Sequence, residues 1–320
     1  MKGYLPDRWL EQACAQGMLS VGSEHELHWR AYGDKSLAAV LFLHGGPGSG
    51  VDLSSLCFFD PELHYVIMFD QRGSGQSTPS GSLVDNTTSH LLTDIELLRK
   101  SLDINQWIVF GGSWGATLGL LYAQSFPSSC TGLVLRGISN SHLYQNRWML
   151  EERPLMIPDR YQAFLKGLGD EQCQDPVKAH YLNIISDDVN RQLLALNAIN
   201  ILESGAYDAE PEPLDSCEDL VESDLDDDHF NRAKIYLHYW VNKKFLTEAQ
   251  CLPEPSALDG LNTIFVHGES DWICPLSGAQ EIVACLPKAR LITVQGAGHS
   301  PFNPAMTKML KDCLAELIQS

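Results

Sequence analysis

The 320-residue chain reads as an α/β protein: a mostly parallel sheet with helices on both faces and an inserted helical subdomain. Three observations predict this. Short apolar runs rich in Val, Ile and Phe recur along the chain, as expected of strands buried on both faces. Helix-like stretches separate them, the alternation that builds parallel sheets. From about 139 to 250 the alternation stops and helical patterns take over.

The predicted strands are "AVLFL" (39–43), "YVIMF" (65–69), "WIVF" (107–110), "LVLRG" (133–137), "TIFVHG" (263–268) and "LITVQG" (291–296). The stretch 86–104 carries Leu91, Leu92, Ile95, Leu98 and Leu102 at helical spacing, with Asn86 to Thr88 as candidate caps. A second helix follows Ser113 and ends where Pro127 cannot continue it. This divides the chain into a sheet-bearing core, 1–138 and 251–320, and a helical cap, 139–250. Within the cap, the acidic run "DAEPEPLDSCEDLVESDLDDD" (208–228) reads as a solvated loop rather than a site.

Composition excludes several function classes. The formal charge of −19 repels nucleic-acid phosphates and anionic membranes, so neither is an expected partner. The opening "MKGYLPDRWLEQACAQG" has no apolar run of the length a secretory signal or membrane span needs, and a soluble protein is expected. Nine scattered cysteines without a C-x-x-C pair fit a reducing cytoplasm better than a disulfide framework or a zinc site. No cofactor or metal constellation stands out. "DQRGSGQS" (70–77) has the glycines of a phosphate loop but lacks the G-K-[ST] ending, so it is read as a structural loop whose Asp70 and Arg72 brace the site from behind.

The chemistry centres on "WIVFGGSWGATLGLLY" (107–122), in which Gly111-Gly112-Ser113-Trp114-Gly115 fits G-x-S-x-G. A serine at a sharp strand-to-helix turn has strained backbone angles, and its close neighbours at 111 and 115 have no room for a Cβ. The hydroxyl then stands above the sheet at the positive end of the following helix. A plain glycine turn is the bland alternative; the strand before and the helix after favour catalysis.

A serine nucleophile needs a base, and the base an orienting acid, in the order Ser, Asp or Glu, His on such a scaffold. Asp271 lies just past one late strand, and His299 lies past the last, after the Gly296-Ala297-Gly298 turn. Glu269 and Asp259 are rival acids. "HGGPG" (44–48) follows the first strong strand, and the amides of Gly46 and Trp114 are the candidate oxyanion donors. Cys274 lies three residues past Asp271, near enough for a bulky thiol reagent to block the site without the thiol being catalytic.

"HGGPG", "DQRGSGQSTP", "LVDNTT", "VFGGSWGATL", "YAQSFP", "LVLRGI", "HGESDWICP" and "GAGHSPF" together resemble the proline iminopeptidases of the α/β-hydrolase superfamily. The resemblance runs from about residue 30 to the C-terminus and is dense from 40 to 137. It implies a serine peptidase that removes an N-terminal proline beneath a helical cap. Ser113, Asp271 and His299 fall on the family's triad, and Gly46 and Trp114 on its oxyanion positions.

The cap departs from the family. Its members bind the substrate's free amine with cap carboxylates. One of these is kept as Glu203, in Ile199-Asn200-Ile201-Leu202-Glu203, where the family's two flanking tryptophans are aliphatic. The other is replaced by Tyr236, in "KIYLHYW" (234–240), and a tyrosine supplies no negative charge near neutral pH. Ser139 and Leu150 stand where aromatic residues are expected. Trp148 and Trp240 remain as candidate aromatic walls.

The expected substrate is thus a small peptide, amide or ester. The leading reading is a proline iminopeptidase-like aminopeptidase. A carboxylesterase or amidase with a neutral acyl pocket is the alternative, favoured by Tyr236 and Ser139. A silent binding protein is opposed by the intact Ser113, Asp271 and His299.

Overall fold

The computed structural model describes residue 9 and residues 13–22, 24–139, 146–203, 206–210 and 227–319. Most of the acidic run, 211–226, lies outside the described residues.

Eight strands form one sheet: β1 (Ala15–Ser20), β2 (Glu26–Tyr32), β3 (Ala38–Leu43), β4 (His64–Phe69), β5 (Trp107–Gly112), β6 (Cys130–Arg136), β7 (Asn262–Gly268) and β8 (Arg290–Val294). Their order is β1-β2-β4-β3-β5-β6-β7-β8. From β4 to β8 every neighbour is parallel, whereas β1 pairs antiparallel with β2 and β2 with β4. All six expected strands are present. The two antiparallel strands are additions that the apolar runs do not reveal. β1 alternates between half-buried and exposed residues along "AQGMLS", so it has no buried apolar face to betray it.

The two-residue period of the central strands divides the core. Leu41, Leu43, Val109, Leu133, Leu135 and Phe265 face one side; helices α1 (Thr88–Ser101), α2 (Trp114–Ser125) and α7 (Leu276–Ala284) pack against them. Val40, Phe42, Ile108, Phe110, Val134, Ile264 and Val266 face the other, against the turn at Leu53–Phe58 and helix α8 (Pro304–Gln319).

Helix α1 buries Leu91, Ile95 and Leu98 as its spacing predicts. Its N-cap falls within the expected Asn86–Thr88: it is Thr87, whose side chain makes no capping bond, while Asn86 donates to the carbonyls of Arg72 and Ser82. α2 stops at Ser125, and Pro127 opens a separate short turn.

Between β6 and β7 the described residues form no strand. They contain helices α3 (Pro158–Leu165), α4 (Pro176–Ile184), α5 (Val189–Glu203) and α6 (Asp227–Val241). These share a cluster of their own around Phe164, Ile184, Leu196, Leu202 and Leu237. No helix among the described residues is long and apolar enough to cross a membrane.

Candidate active site

Ser113 is the junction between β5 and α2, with φ 57° and ψ −122°. That is a strained conformation for any residue with a side chain. The neighbouring glycines make it possible. A Cβ on Gly111 would collide with the carbonyl of Gly115, and one on Gly115 with the carbonyls of Leu43 and His44. The turn is locked to the sheet by the Ser113 amide, which donates to the Arg136 carbonyl at 2.8 Å.

Asp271 follows β7 and His299 follows β8; both are buried. His299 Nδ1 lies 2.7 Å from Asp271 Oδ2, and Asp271 Oδ1 accepts the amides of Ile273 (2.9 Å) and Cys274 (2.8 Å). Burial by itself would raise the Asp271 carboxyl; the attraction and hydrogen bond of His299 outweigh it and hold the group below its ordinary value. The carboxylate is thus charged, and it fixes the imidazole with Nε2 free to act. Gly137, next to Arg136, faces the same imidazole: a Cβ there would lie 3.1 Å from His299 Cε1. The Arg136–Gly137 link therefore runs between Ser113 and His299. The rival acids lie elsewhere. Asp259 pairs with Lys288 at the surface (3.2 Å), and Glu269 is exposed.

In the Gly296-Ala297-Gly298 turn, Gly296 is exposed with open space around it, whereas Gly298 is closely packed. A Cβ on Gly298 would strike the backbone of Tyr207 and Asp208, and the Ser300 amide donates to the Tyr207 carbonyl at 2.8 Å.

Gly46, with φ +108°, turns the chain after β3. Among the described residues neither its amide nor that of Trp114 has a hydrogen-bond partner. The Trp114 amide opens α2, where free N–H groups and the helix dipole favour negative charge.

Behind these amides the sequence reading missed Gln71. Its side chain accepts from Trp114 Nε1 (2.9 Å) and donates to the His44 carbonyl (3.0 Å). Its amide donates to His44 Nε2 (3.0 Å). His44 Nδ1 donates to the Gly45 carbonyl, and burial lowers the imidazole pKa, which suits a neutral ring bonded at both nitrogens. Gln71 thus ties together the turn that follows β3 and the start of α2. Asp70 and Arg72 brace more distant parts: Asp70 holds the amides of Val51 and Gln76, and Arg72 pairs with Asp94 at 2.6 Å.

A small cavity of about 40 Å³ lies over Ser113. Gly46, Trp114, Ser139, Glu203, Tyr236, Trp240 and Cys274, all singled out from the sequence, line it. Trp148 does not. It packs within the cap, donating to the Trp272 carbonyl at 3.0 Å, and its role as a pocket wall is corrected. Cys274 lines the same cavity as Ser113, and burial pushes its thiol up to about 12, so it stays protonated.

Tyr207, Arg232 and Lys244 are among the lining residues that were not foreseen. Arg232 Nη2 holds Glu203 Oε2 at 2.9 Å, so the one carboxylate kept from the family pattern already has a cation. Tyr207 stacks beside His299 with ring centres 5.6 Å apart. Glu203, Tyr207, Arg232 and Tyr236 also wall a larger outer cavity of about 210 Å³. "KKF" after α6 reads in sequence as solvated charge, and nothing local marks Lys244 as buried.

Residues 38–303 match the family model of the α/β hydrolase fold. A probable proline iminopeptidase of Leptolyngbya boryana is 36% identical over 300 residues, spanning 92% of each chain. The proline iminopeptidase of Arabidopsis thaliana is 37% identical over 299 residues, covering 92% of this chain and 78% of that one. Among solved structures, a proline iminopeptidase-related protein of Thermus thermophilus superposes with a TM-score of 0.62 at 22% identity, over 95% of this chain and 98% of that one, a likeness of fold. With a nucleophile-type elbow, an Asp271–His299 pair at the same sheet edge and relatives of this closeness, the chain belongs to the proline iminopeptidase family of α/β hydrolases.

Proposed function

We propose that this protein is a serine aminopeptidase of the proline iminopeptidase kind, releasing an N-terminal proline or similar small residue through an acyl-enzyme. The observation that carries the reading is the Asp271–His299 hydrogen bond at the sheet edge that bears Ser113, in a chain with such relatives.

In this reading His299 Nε2 takes the Ser113 hydroxyl proton as Oγ attacks the scissile carbonyl. The amides of Gly46 and Trp114 receive the oxyanion; loss of one such donor typically costs about 2.7–4 kcal/mol of transition-state stabilisation. Asp271 balances the imidazolium charge. His299 then gives the proton to the leaving amine, and water, activated by the same histidine, releases the acyl group. Glu203 is the candidate acceptor for the substrate's amine, and Tyr236 and Trp240 line the subsite. Residues 139–250 act as the cap that encloses it.

The second reading, a carboxylesterase or amidase with a neutral acyl group, is favoured by the pairing of Glu203 with Arg232 and by Tyr236 in place of a carboxylate. The two separate on four substrates: a prolyl arylamide, its N-acetyl form, an alanyl arylamide and a short-chain aryl ester. The aminopeptidase cleaves the free-amine prolyl substrate and rejects the acetylated one, and Ser113→Ala abolishes turnover. Preference for the ester with indifference to acetylation would overturn it. Glu203→Gln is expected to lower kcat/KM for free-amine substrates at least tenfold relative to the ester; an unchanged ratio removes Glu203 from the amine subsite.

A further inference from the structure

Lys244 is the unexplained group in this pocket. It is 6% exposed and lines the cavity over Ser113 together with Trp114, Ser139 and Cys274. Its Nζ reaches Ser139 Oγ at 3.5 Å and stands 5.9 Å above the Trp114 ring. Among the described residues no carboxylate pairs with it. The cavity's own carboxylate, Glu203, is bound to Arg232 instead.

The backbone holds the lysine in this place at some cost. Lys243, Lys244 and Phe245 all have φ near +54°, the left-handed region that side-chain-bearing residues avoid. The Thr88 hydroxyl anchors the Lys244 carbonyl at 2.5 Å. A buried ammonium with one weak polar contact and a ring face is poorly compensated. Burial accordingly lowers its pKa to about 8.

The geometry also tells which part of a substrate meets this group. His299 must hand its proton to the leaving amine, so the leaving group lies on the His299 side. Tyr207 stands there, and with Glu203, Arg232 and Tyr236 it walls both the inner and the outer cavity. A leaving peptide on that side would extend toward the outer cavity, and the released residue would stay in the inner one, which Ser139 and Lys244 line and whose wall also holds Glu203.

We propose that Lys244 is a specificity-determining residue of the acyl subsite, pairing with a side-chain carboxylate on the residue that is released. Beside proline, the substrate class then includes peptides with an acidic N-terminal residue, favoured over its neutral amide, with the amine toward Glu203 and the carboxylate toward Lys244 and Ser139. This rests on the aminopeptidase reading for the fate of the substrate, but not for its binding.

The test compares L-glutamyl and L-glutaminyl arylamides, which differ only in the charge of the side chain, in wild type and Lys244→Met. Wild type is expected to prefer the glutamyl substrate at least tenfold in kcat/KM, and Lys244→Met to bring the ratio to one or below. Lys244→Gln is the second neutral variant should the first fail to fold. In parallel, calorimetry measures binding of free L-glutamate and L-glutamine. A glutamate preference that vanishes without Lys244 supports the proposal even if neither arylamide is cleaved; the aminopeptidase reading stands or falls separately, on the prolyl arylamide. No glutamate preference in wild type, or one that both variants keep, overturns the proposal.

Discussion

Ser113 shows how local strain and chemistry share one residue. Its φ of 57° and ψ of −122° are imposed by the turn, and they point the side chain away from the sheet with the Trp114 amide alongside. Strain of this kind costs of order 1–3 kcal/mol. The cost belongs to the Cβ, not to the hydroxyl, and this separates two inactive variants. Ser113→Ala keeps the Cβ and with it the strain. Ser113→Gly relieves it and gives back roughly 0.5–1 kcal/mol through the freer unfolded chain. Both variants are expected to lack turnover, with Ser113→Gly the more stable by about 1 kcal/mol in chemical denaturation. Equal midpoints would mean that the elbow stores no strain. At this scale the sequence was largely legible. The glycines at 111 and 115 and the positions of Asp271 and His299 just past strands follow from the backbone, which a pattern can encode. Gln71 and Lys244 were not, because each acquires its role from partners distant in the chain: Trp114 for Gln71, and Ser139 and Trp114 for Lys244.

At the scale of elements, the sheet is clamped to its helices by polar contacts as well as by the apolar faces that sequence reveals. Glu96 on α1 accepts from Tyr122 OH on α2 (2.9 Å), from Ser129 Oγ before β6 (3.2 Å) and from Arg99 through both carboxylate oxygens (2.6 and 2.9 Å). Arg99 in turn donates to the carbonyls of Ile104 and Asn105, at the entry to β5. The period of Leu91, Ile95 and Leu98 predicts α1 but says nothing of this knot, since Tyr122 and Ser129 are 26 and 33 residues away from Glu96. The antiparallel strands escaped for a related reason: the edge strand β1 is ordered by pairing rather than burial, and β2 buries Leu27, Ala31 and Tyr32 without a continuous apolar run. The Arg99 hydrogen bonds, helped by those of Tyr122 and Ser129 and opposed by burial, bring the Glu96 carboxyl from 4.5 down to about 2. A carboxyl depressed on folding stabilises the native state above its unfolded value and loses that contribution as pH falls through the folded one. Wild-type stability is therefore expected to drop between about pH 4.5 and pH 2. Glu96→Gln should be less stable at neutral pH and show a shallower fall in that window. Urea midpoints at neutral pH and at points down through the acid window check this, and parallel curves for the two proteins would remove Glu96 from the acid limb.

At the scale of the molecule, α6 joins the cap to the sheet. Ala233, Tyr236, Leu237 and Trp240 belong to the cap cluster, whereas Ile235 and Tyr239 belong to the core cluster that holds Trp114 and the helices α1 and α2. The helix sits directly on the catalytic turns. A Cβ on Gly48 would lie 3.0 Å from Ile235 Cβ, and one on Gly73 3.1 Å from Ile235 Cδ1. Tyr239 OH donates to Asn86 Oδ1 at 3.0 Å, and His238 Nε2 lies 3.1 Å from the Asn86 carbonyl. A sequence pattern can mark α6 as a helix. It cannot say that two faces of the helix serve two different cores, because that depends on where the cap lands. The consequence is mechanical coupling. Ile235 is 1% exposed and fills the seam, so Ile235→Ala should cost about 2–5 kcal/mol. If α6 makes cap and sheet one cooperative unit, wild type unfolds in a single transition and the variant loses protection in both parts together. Native-state hydrogen exchange reads this directly, with α4 and α5 reporting on the cap and α1 and α2 on the core. Equal losses of protection in both sets are expected. A loss confined to α4 and α5 would show instead that the cap opens by itself, and that access to Ser113 is governed by the seam at Ile235.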